Sequence, residues 1–333
     1  MRRQKMKIIA VSFPCTREQQ NRLKQAAQGY AQVQFMAEME EEQAKECMKH
    51  AHVIVGQPEL SEIVQNEVLE WVQMTWVGTD KYTVKSSEIG FPKHIQLTNM
   101  CGALGVIMSE YAIGGILALY RHFPIYWTQQ KQGIWKDAGA EESLYGKTVL
   151  LLGTGDIGTN LAKRLKAFGT TNIGIRRNTE NVPEGFDKMY GFEQLDKQLT
   201  EVDIVACSLP NKPLTRNLLT KERLLMMKKD AVLLNMGRGT LLDTNVLAEV
   251  LETGHLKGVI LDVTNPEPLP KEHPLWQYDR VLITPHVAGP SLGHCPATQE
   301  RVIDVCCENI KRYFSGEVLL NRIEDADFEY IRE

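Results

Sequence analysis

Residues 144–158, Leu-Tyr-Gly-Lys-Thr-Val-Leu-Leu-Leu-Gly-Thr-Gly-Asp-Ile-Gly, decide how this chain folds. Val149–Leu152 is a short apolar run that stops abruptly at Gly153, as a buried strand of a parallel sheet does. Gly153, Gly155 and Gly158 then make a GxGxxG loop, and Thr159–Phe168 follows with a helical pattern. A bare GxGxxG is a weak signal, but strand before and helix after give it the context of a dinucleotide site. The first glycine permits the tight turn, the second lets the backbone approach a pyrophosphate, and the third packs helix on strand. Unused N–H groups and the helix dipole favour phosphate there. A glycine-rich turn that binds nothing is the bland alternative, and the flanking elements disfavour it.

On either side of this stretch, apolar runs alternate with amphipathic segments over nearly the whole chain, the pattern of a parallel α/β sheet. Before it, strands are expected at Lys7–Val11, Val33–Met36, Val53–Val55, Met74–Val77 and Gln96–Thr98. Helical patterns fall at Glu18–Ala27, Gln43–Lys49 and Val106–His122. After it, strands are expected at Asn172–Ile175, Ile204–Cys207, Val232–Asn235, Gly258–Leu261 and Val281–Thr284, with a last helix at Thr298–Phe314 ending before Gly316. A length of 333 residues favours two domains.

Composition narrows the functional classes. Hydrophobic residues are 43% and charged residues 24%, a globular balance. With 38 Lys+Arg against 42 Asp+Glu there is no basic surface to recruit nucleic acid. The longest apolar stretch, Tyr111–Tyr120, is half the ~20 residues of a membrane span, so no membrane partner is expected. The opening apolar run ends at Pro14 and Cys15 without a cleavage-site pattern and reads as a first strand, giving a cytoplasmic expectation. Seven cysteines without a CxxC pair indicate neither a disulfide framework nor a metal site.

The end of the second strand sorts nicotinamide cofactors: an acid there binds the ribose hydroxyls of NAD, an arginine the 2′-phosphate of NADP. This strand ends Gly174-Ile175-Arg176-Arg177-Asn178, with arginine where the acid would stand. A guanidinium fork suits a phosphate, so NADP(H) is favoured, with NAD(H) as the alternative. Arg177 could be the main contact, since a one-residue shift turns a strand-end side chain over. The bland reading is a solvated arginine pair.

Three further segments lie at expected strand ends, where an open parallel sheet places its ligands. They are Asn235-Met236-Gly237-Arg238-Gly239, Asp262-Val263-Thr264-Asn265-Pro266-Glu267-Pro268 and Thr284-Pro285-His286-Val287-Ala288-Gly289. They supply a fixed cation, a carboxylate and an imidazole, the groups that reduction of a 2-keto acid needs. Arginine polarises the carbonyl and pairs with the anionic substrate. Histidine delivers the proton that the nascent alkoxide takes, and a neighbouring carboxylate orients the ring and steadies its charged form.

With these motifs in order after GTGDIG, the chain closely resembles the D-isomer-specific 2-hydroxyacid dehydrogenase family over essentially its whole length. The resemblance implies that Arg238, Glu267 and His286 are catalytic. It implies cofactor contacts at Gly153, Gly155, Asp156, Ile157 and Gly158, at Arg176 with Arg177, and at Ser208, Leu209, Pro210 and Thr215. Met236, Gly237, Asp262, Ala288 and Gly289 complete that set. Substrate contacts fall on Val77, Gly78 and Thr79, whose backbone N–H groups would hold a carboxylate, and again on Arg238 and His286. The resemblance further implies an α/β fold of two Rossmann-like domains, the dinucleotide-binding domain being inserted into a flavodoxin-like substrate domain. The substrate domain would comprise 1–101 and 286–333, the inserted domain 102–285, with the active site in the cleft between them. A homodimer through the cofactor domains, using the apolar segment Tyr111–Trp127, is implied as well. His273–Trp276 (HPLW) and Arg176 look most like the glyoxylate/hydroxypyruvate reductase branch, with a small 2-keto or 2-hydroxy acid as partner.

Blander readings cover most other candidates. His50, His52, His94, His122 and His255 read as surface or satisfied core residues, with a small share left for His294 reaching the cleft. Asp262 could be only a turn former, and Trp135 reads as a packed loop aromatic rather than a residue entering a partner's cleft. Cys101 and Cys207 read as small buried hydrophobes. A dinucleotide-sensing corepressor-like scaffold and a formate or phosphite dehydrogenase on the same frame are the competing functions. Keto-acid reduction leads because a Glu–His pair is useful where a proton must be delivered.

Overall fold

The computed structural model describes residues 6–84, 89–289 and 294–329. The chain ends included in the expected domains, 1–5 and 330–333, lie outside the described residues. Two compact units result, Met1–Ala103 with Pro290–Glu333, and Leu104–Gly289.

In the first unit, β1 (Lys7–Val11), α1 (Arg17–Ala26), β2 (Ala31–Phe35), α2 (Glu41–His50), β3 (Val53–Val55), α3 (Leu60–Gln65), β4 (Trp71–Gln73), α4 (Asp80–Thr83) and β5 (Gln96–Thr98) follow one another. All the pairings are parallel, in the order β2-β1-β3-β4-β5, the flavodoxin-like arrangement. The central strands β1 and β3 are mostly apolar because both faces are covered, whereas the edge strand β2 alternates Ala31, Val33 and Phe35 with Gln32 and Gln34. Ile9, Val11, Val53 and Val55 pack against Val302, Ile303, Cys306 and Ile310 of the C-terminal helix Pro296–Ser315. The alternate residues Ala10, Ile54 and Val72 pack with Ile63, Tyr82 and Phe91 on the other face. Each such aliphatic side chain contributes about 1.5–3 kcal/mol by leaving water. Thr16 and Gln19 form a capping box that starts α1, and Gly316 at φ +72° ends the C-terminal helix.

The fourth strand is displaced from the expected Met74–Val77 to Trp71–Gln73. Met74 still donates to the Thr98 carbonyl at 2.8 Å, but the chain then leaves the sheet. Apolar character at 74–77 serves a loop rather than a strand, which a run of four residues does not reveal.

In the second unit, α5 (Gly105–Tyr120) and α6 (Phe123–Lys131) precede β6 (Thr148–Leu152), α7 (Asp156–Lys166), β7 (Thr171–Ile175) and β8 (Lys188–Tyr190). Next come α8 (Leu195–Leu199), β9 (Ile204–Cys207), α9 (Lys221–Met226), β10 (Val232–Asn235), α10 (Thr244–Glu252), β11 (Gly258–Leu261) and β12 (Val281–Ile283). The seven strands are parallel in the order β12-β11-β10-β9-β6-β7-β8. From β6 the chain winds one way into β7 and β8, then returns to build β9 to β12 on the other side. The switch point therefore lies between the carboxyl ends of β6 and β9, where such sheets bind ligands. β8 was missed because its three residues are polar or only partly buried. The apolar segment Tyr111–Trp127 is not one helix, since His122 at φ +54° turns the chain between α5 and α6.

The second unit runs to Gly289 rather than ending at 285. Asp262 of that unit accepts hydrogen bonds from the Val287 and Ala288 N–H groups at 2.8 and 2.9 Å, which holds the segment in place. No helix among the described residues is long and apolar enough to cross a membrane.

His273 is a buried imidazole in this unit. His273 caps the 3₁₀ turn Pro274–Gln277, its Nδ1 accepting from the Leu275 N–H at 3.2 Å. Nε2 therefore carries the proton and, among the described residues, finds no acceptor. Burial holds this imidazole below its ordinary value of 6.5, with the Asp243 charge opposing in part. The unfolded chain thus takes the proton first as pH falls, so stability tied to neutral His273 is complete above pH 6.5 and lost below it. His273→Asn retains an acceptor for the turn but does not titrate. It is expected to be less stable than wild type near about pH 8, with the gap in urea midpoint narrowing towards about pH 5. A gap independent of pH would exclude this role.

Candidate functional site

The glycine loop leaves β6 in a turn that glycine alone tolerates at its first position. Gly153 has φ +100°, and a Cβ there would lie 2.9 Å from Ser208 Oγ. A Cβ on Gly158 would lie 2.0 Å from the Gly153 carbonyl oxygen, so α7 packs against the loop at a distance only glycine allows. A Cβ on Gly155 would meet nothing within 4 Å, leaving the approach to the start of α7 open. The N–H groups of Thr154 and Gly155 donate to no acceptor among the described residues. An open, donor-rich cradle at the start of an 11-residue helix fits a dinucleotide pyrophosphate.

Asp156 stands in that cradle with Ile157, and its carboxylate is turned onto protein donors. Oδ2 accepts from the Gly105 N–H at 2.9 Å and Oδ1 from Asn160 Nδ2 at 2.9 Å. The side chain therefore caps α5, and its charge is kept on those donors. Arg176 follows β7 half-buried and Arg177 is exposed. Neither guanidinium makes a hydrogen bond or ion pair among the described residues, which leaves both forks available to an anion.

Beyond β9, the Ser208 N–H donates to the Leu152 carbonyl at 2.9 Å, joining the turn Ser208-Leu209-Pro210 to β6. The Thr215 hydroxyl lies 2.6 Å from the Pro210 carbonyl and accepts from the Lys212 N–H at 3.0 Å, so it closes this turn internally. Beyond β10, Asn235 grips the next turn from both ends. Its Oδ1 accepts from the Gly237 N–H at 3.1 Å and its Nδ2 donates to the Arg238 carbonyl at 2.9 Å. Met236 is buried, and the Arg238 guanidinium donates to the Gly237 carbonyl at 2.7 Å. Asn235 was read only as a strand end, although a buried polar residue beside a glycine-containing turn is a signal for such a clamp.

Glu267 and His286 come from the segments after β11 and β12. His286 Nδ1 lies 2.7 Å from Glu267 Oε1, and the two side chains are 47% and 43% exposed. Nδ1–H donates to the carboxylate, and Nε2 makes no hydrogen bond among the described residues. His286 has φ +56°, unusual for a residue with a Cβ, and its N–H donates to the Asp262 and Thr284 carbonyls at 2.9 and 3.0 Å. Asp262 is 2% exposed, and among the described residues the hydrogen bonds to its carboxylate come from the His286 segment. Ala288 is buried, and a Cβ on Gly289 would lie 3.1 Å from Leu104. Tyr111, on α5, shares a 2.7 Å hydrogen bond with the Thr284 hydroxyl, and burial pushes its phenol up to about 12. Sequence reasoning did not single out Tyr111 or Thr284, because only the packing of α5 reveals their contact.

In the first unit, the Val77, Gly78 and Thr79 N–H groups donate to no acceptor among the described residues. Asn99 Nδ2 donates to the Val77 carbonyl at 2.8 Å, and the Met100 N–H donates to the Trp76 carbonyl at 3.0 Å. The loop is thus held by its carbonyls, with three consecutive donors left over, an arrangement suited to an anion.

Other expectations are corrected. Trp135 is not packed but fully exposed, at 103%. Cys101 is exposed rather than buried, whereas Cys207 is buried, which pushes its thiol up. Among the described residues no group of His, Cys, Asp and Glu could hold a metal ion.

The family model described as "D-isomer specific 2-hydroxyacid dehydrogenase, NAD binding domain" matches residues 113–288. A glyoxylate reductase of Thermofilum pendens is 33% identical over 252 residues, 71% of each chain. A crystal structure of a D-isomer specific 2-hydroxyacid dehydrogenase family protein from Aeromonas salmonicida is 30% identical and covers 96% of this chain and 99% of its own, with a TM-score of 0.84. A D-isomer specific 2-hydroxyacid dehydrogenase of Xanthobacter autotrophicus, solved with NADPH and MES, is 25% identical over 96% of this chain and 98% of its own, with a TM-score of 0.78. A family model spanning more than half of the chain and a relative sharing a third of its residues agree with the doubly wound sheet and its glycine loop. The chain belongs to the D-isomer specific 2-hydroxyacid dehydrogenase family and is an NAD(P)-dependent oxidoreductase.

Proposed function

We propose that this enzyme reduces a small 2-keto acid of the glyoxylate or hydroxypyruvate kind to the D-2-hydroxy acid, with NADPH as the preferred reductant. The observation that carries this reading is the 2.7 Å contact between His286 Nδ1 and Glu267 Oε1 at the carboxyl edge of the sheet. A ring held in one tautomer by a carboxylate is a proton donor, and carbonyl reduction needs one. The likeness to the Thermofilum pendens glyoxylate reductase supports the substrate class.

Glu267 holds the Nδ1–H of His286, so Nε2 delivers its proton to the oxygen of the substrate carbonyl. Arg238, anchored by its backbone through Asn235, presents its fork to that oxygen and to the carboxylate. The unengaged N–H groups of Val77, Gly78 and Thr79 support their role in binding the substrate carboxylate. The glycine loop, Ser208–Pro210 and Arg176 would hold the dinucleotide, which when bound supplies hydride to the carbonyl carbon. Asp262, whose carboxylate accepts from Thr284, Val287 and Ala288, would position the His286 segment, and Met236, Gly237, Ala288 and Gly289, in the turns after β10 and β12, would lie beside the dinucleotide. Exposed Phe123, Trp127, Ile134 and Trp135 support pairing of two copies through this unit.

His286→Ala is expected to lower single-turnover reduction about 10²–10⁴-fold while NADPH binding, followed by fluorescence titration, stays near wild type. Retained chemistry with collapsed cofactor affinity would refute the assignment. Arg238→Lys should cost at least ~10² in kcat/KM, because an ammonium cannot make a planar two-pronged contact. Activity within a few-fold of wild type would remove Arg238 from the reaction.

Cofactor choice rests on Arg176 and Arg177, whose guanidinium groups have no partner among the described residues. A charge-assisted hydrogen bond is worth about 1.5–3 kcal/mol, so kcat/KM should favour NADPH over NADH by roughly 10–100-fold. Arg176→Asp should reverse that order by adding repulsion to lost attraction. A wild type that prefers NADH, with Arg176 and Arg177 variants unchanged, would show these arginines to be surface charge.

A further inference from the structure

We infer that Tyr111 is a positioning residue for His286, acting through the Thr284 hydroxyl and the Asp262 carboxylate. The inference deepens the reading of His286 as proton donor and rests on it. Its basis is a chain of hydrogen bonds whose direction can be worked out from the number of protons available.

Thr284 Oγ1 lies 2.7 Å from Asp262 Oδ1 and 2.7 Å from the Tyr111 hydroxyl. A hydroxyl has one proton to give and lone pairs to receive with. The Asp262 carboxylate can only accept, so Thr284 donates to it and must accept from Tyr111. Tyr111 is therefore the source of the chain, and Asp262 its end. At Asp262 the chain meets the backbone of the His286 segment: Oδ1 also accepts from the Val287 N–H at 2.8 Å, and Oδ2 accepts from the Ala288 N–H at 2.9 Å. These are the two residues that follow His286, whose own N–H is tied to the Asp262 carbonyl at 2.9 Å.

The arrangement answers a physical need. His286 occupies the left-handed region at φ +56°, where a residue with a Cβ stays only if its surroundings over-determine it. The carboxylate that fixes the next two N–H groups is itself 2% exposed, and a buried carboxylate keeps its place only while its lone pairs are satisfied. Thr284 fills one of those positions, and Tyr111 sets the rotamer from which Thr284 can do so. Without the phenol, the threonine hydroxyl is free to turn towards other acceptors, and the grip of Asp262 on the segment slackens.

The helix α5 is built to carry this contact. Leu104, Met108, Tyr111, Gly115 and Leu119 recur at spacings of four, three, four and four, which places them along one stripe. A Cβ on Gly289 would lie 3.1 Å from Leu104 and 3.5 Å from Met108, so the end of the His286 segment rests on the first turns of the stripe. A Cβ on Gly115 would lie 3.2 Å from Ile260 of β11, and one on Gly258 would lie 2.7 Å from Leu119. The stripe thus runs along β11 and under the segment, with Tyr111 as its polar position.

The test is a double-mutant cycle on the holoenzyme, using the 2-keto acid that wild type reduces best. Tyr111→Phe should lower kcat roughly 3–10-fold, the scale of one neutral hydrogen bond, with KM for NADPH and thermal midpoint unchanged. In a Thr284→Val background the same change should have no further effect, and in Thr284→Ser its full effect should return. A Tyr111→Phe enzyme with wild-type kcat, or an effect that persists undiminished in Thr284→Val, would overturn the inference. Imidazole NMR gives a readout independent of turnover and of how Thr284→Val folds. The His286 ring resonance, identified by its loss in His286→Gln, should move in Tyr111→Phe while other histidines stay put. An unmoved resonance would overturn the inference. If His286→Ala also retains turnover, the proton-donor reading itself has failed; if it abolishes turnover while Tyr111→Phe is silent, only the role of Tyr111 has.

Discussion

The arrangement of the candidate site depends on one buried charge. The Asp262 carboxylate at the end of β11 accepts from the Thr284 hydroxyl and from the Val287 and Ala288 N–H groups. Three donors compensate a carboxylate that is 2% exposed, and all of them belong to the segment that bears His286. The need to satisfy one buried group therefore becomes a positional constraint on another. His286 keeps an uncommon backbone conformation, and its ring meets Glu267 at 2.7 Å, because the residues on either side of it have their hydrogen bonds fixed.

The remaining turns at the carboxyl edge of this sheet follow a similar rule, with close backbone approach enforced by glycine and a short polar side chain holding the turn. Gly158 allows α7 to pack against the Gly153 carbonyl, and a Cβ on Gly239 would lie 1.9 Å from the Thr264 carbonyl. Asn235 holds the Arg238 turn through Gly237 and the Arg238 carbonyl, as Thr215 holds the turn after Pro210. In the first unit Asn99 does the same for the Val77 loop, leaving the loop's N–H groups for an anion. Backbone shape is thus secured by internal hydrogen bonds, while the forks of Arg176 and Arg177 and the N–H groups of Thr154 and Gly155 make none among the described residues. Asp156 shows the same economy of charge, since its carboxylate is held by Gly105 and Asn160 beside a cradle suited to phosphate.

Much of this was legible in the amino-acid order because the features are local. A parallel strand buried on both faces must be apolar throughout, so β6, β9, β10 and β11 stand out as runs. The glycine loop is read from spacing, and the motifs that carry Arg238, Glu267 and His286 fall where such runs end. β4 and β8 were misplaced or missed for the converse reason. β4 is only three residues long and continues into an apolar loop, and β8 has little burial to impose a pattern.

What the sequence by itself determined was the order of elements, the doubly wound architecture and the identity of the chemical groups at the strand ends. These follow from periodicity and from the few residue types that tolerate tight turns or carry charge. The tertiary structure alone decided how those groups are held. The approach of Tyr111 to Thr284 spans 173 positions, and that of Asp262 to Ala288 crosses a whole strand. No local pattern encodes such pairs, because each is set by helix α5 lying along β11 and by the requirement that a buried carboxylate find its donors. The exposure of Trp135 and Cys101 belongs to the same class, since whether a side chain meets solvent depends on what the rest of the chain brings to cover it.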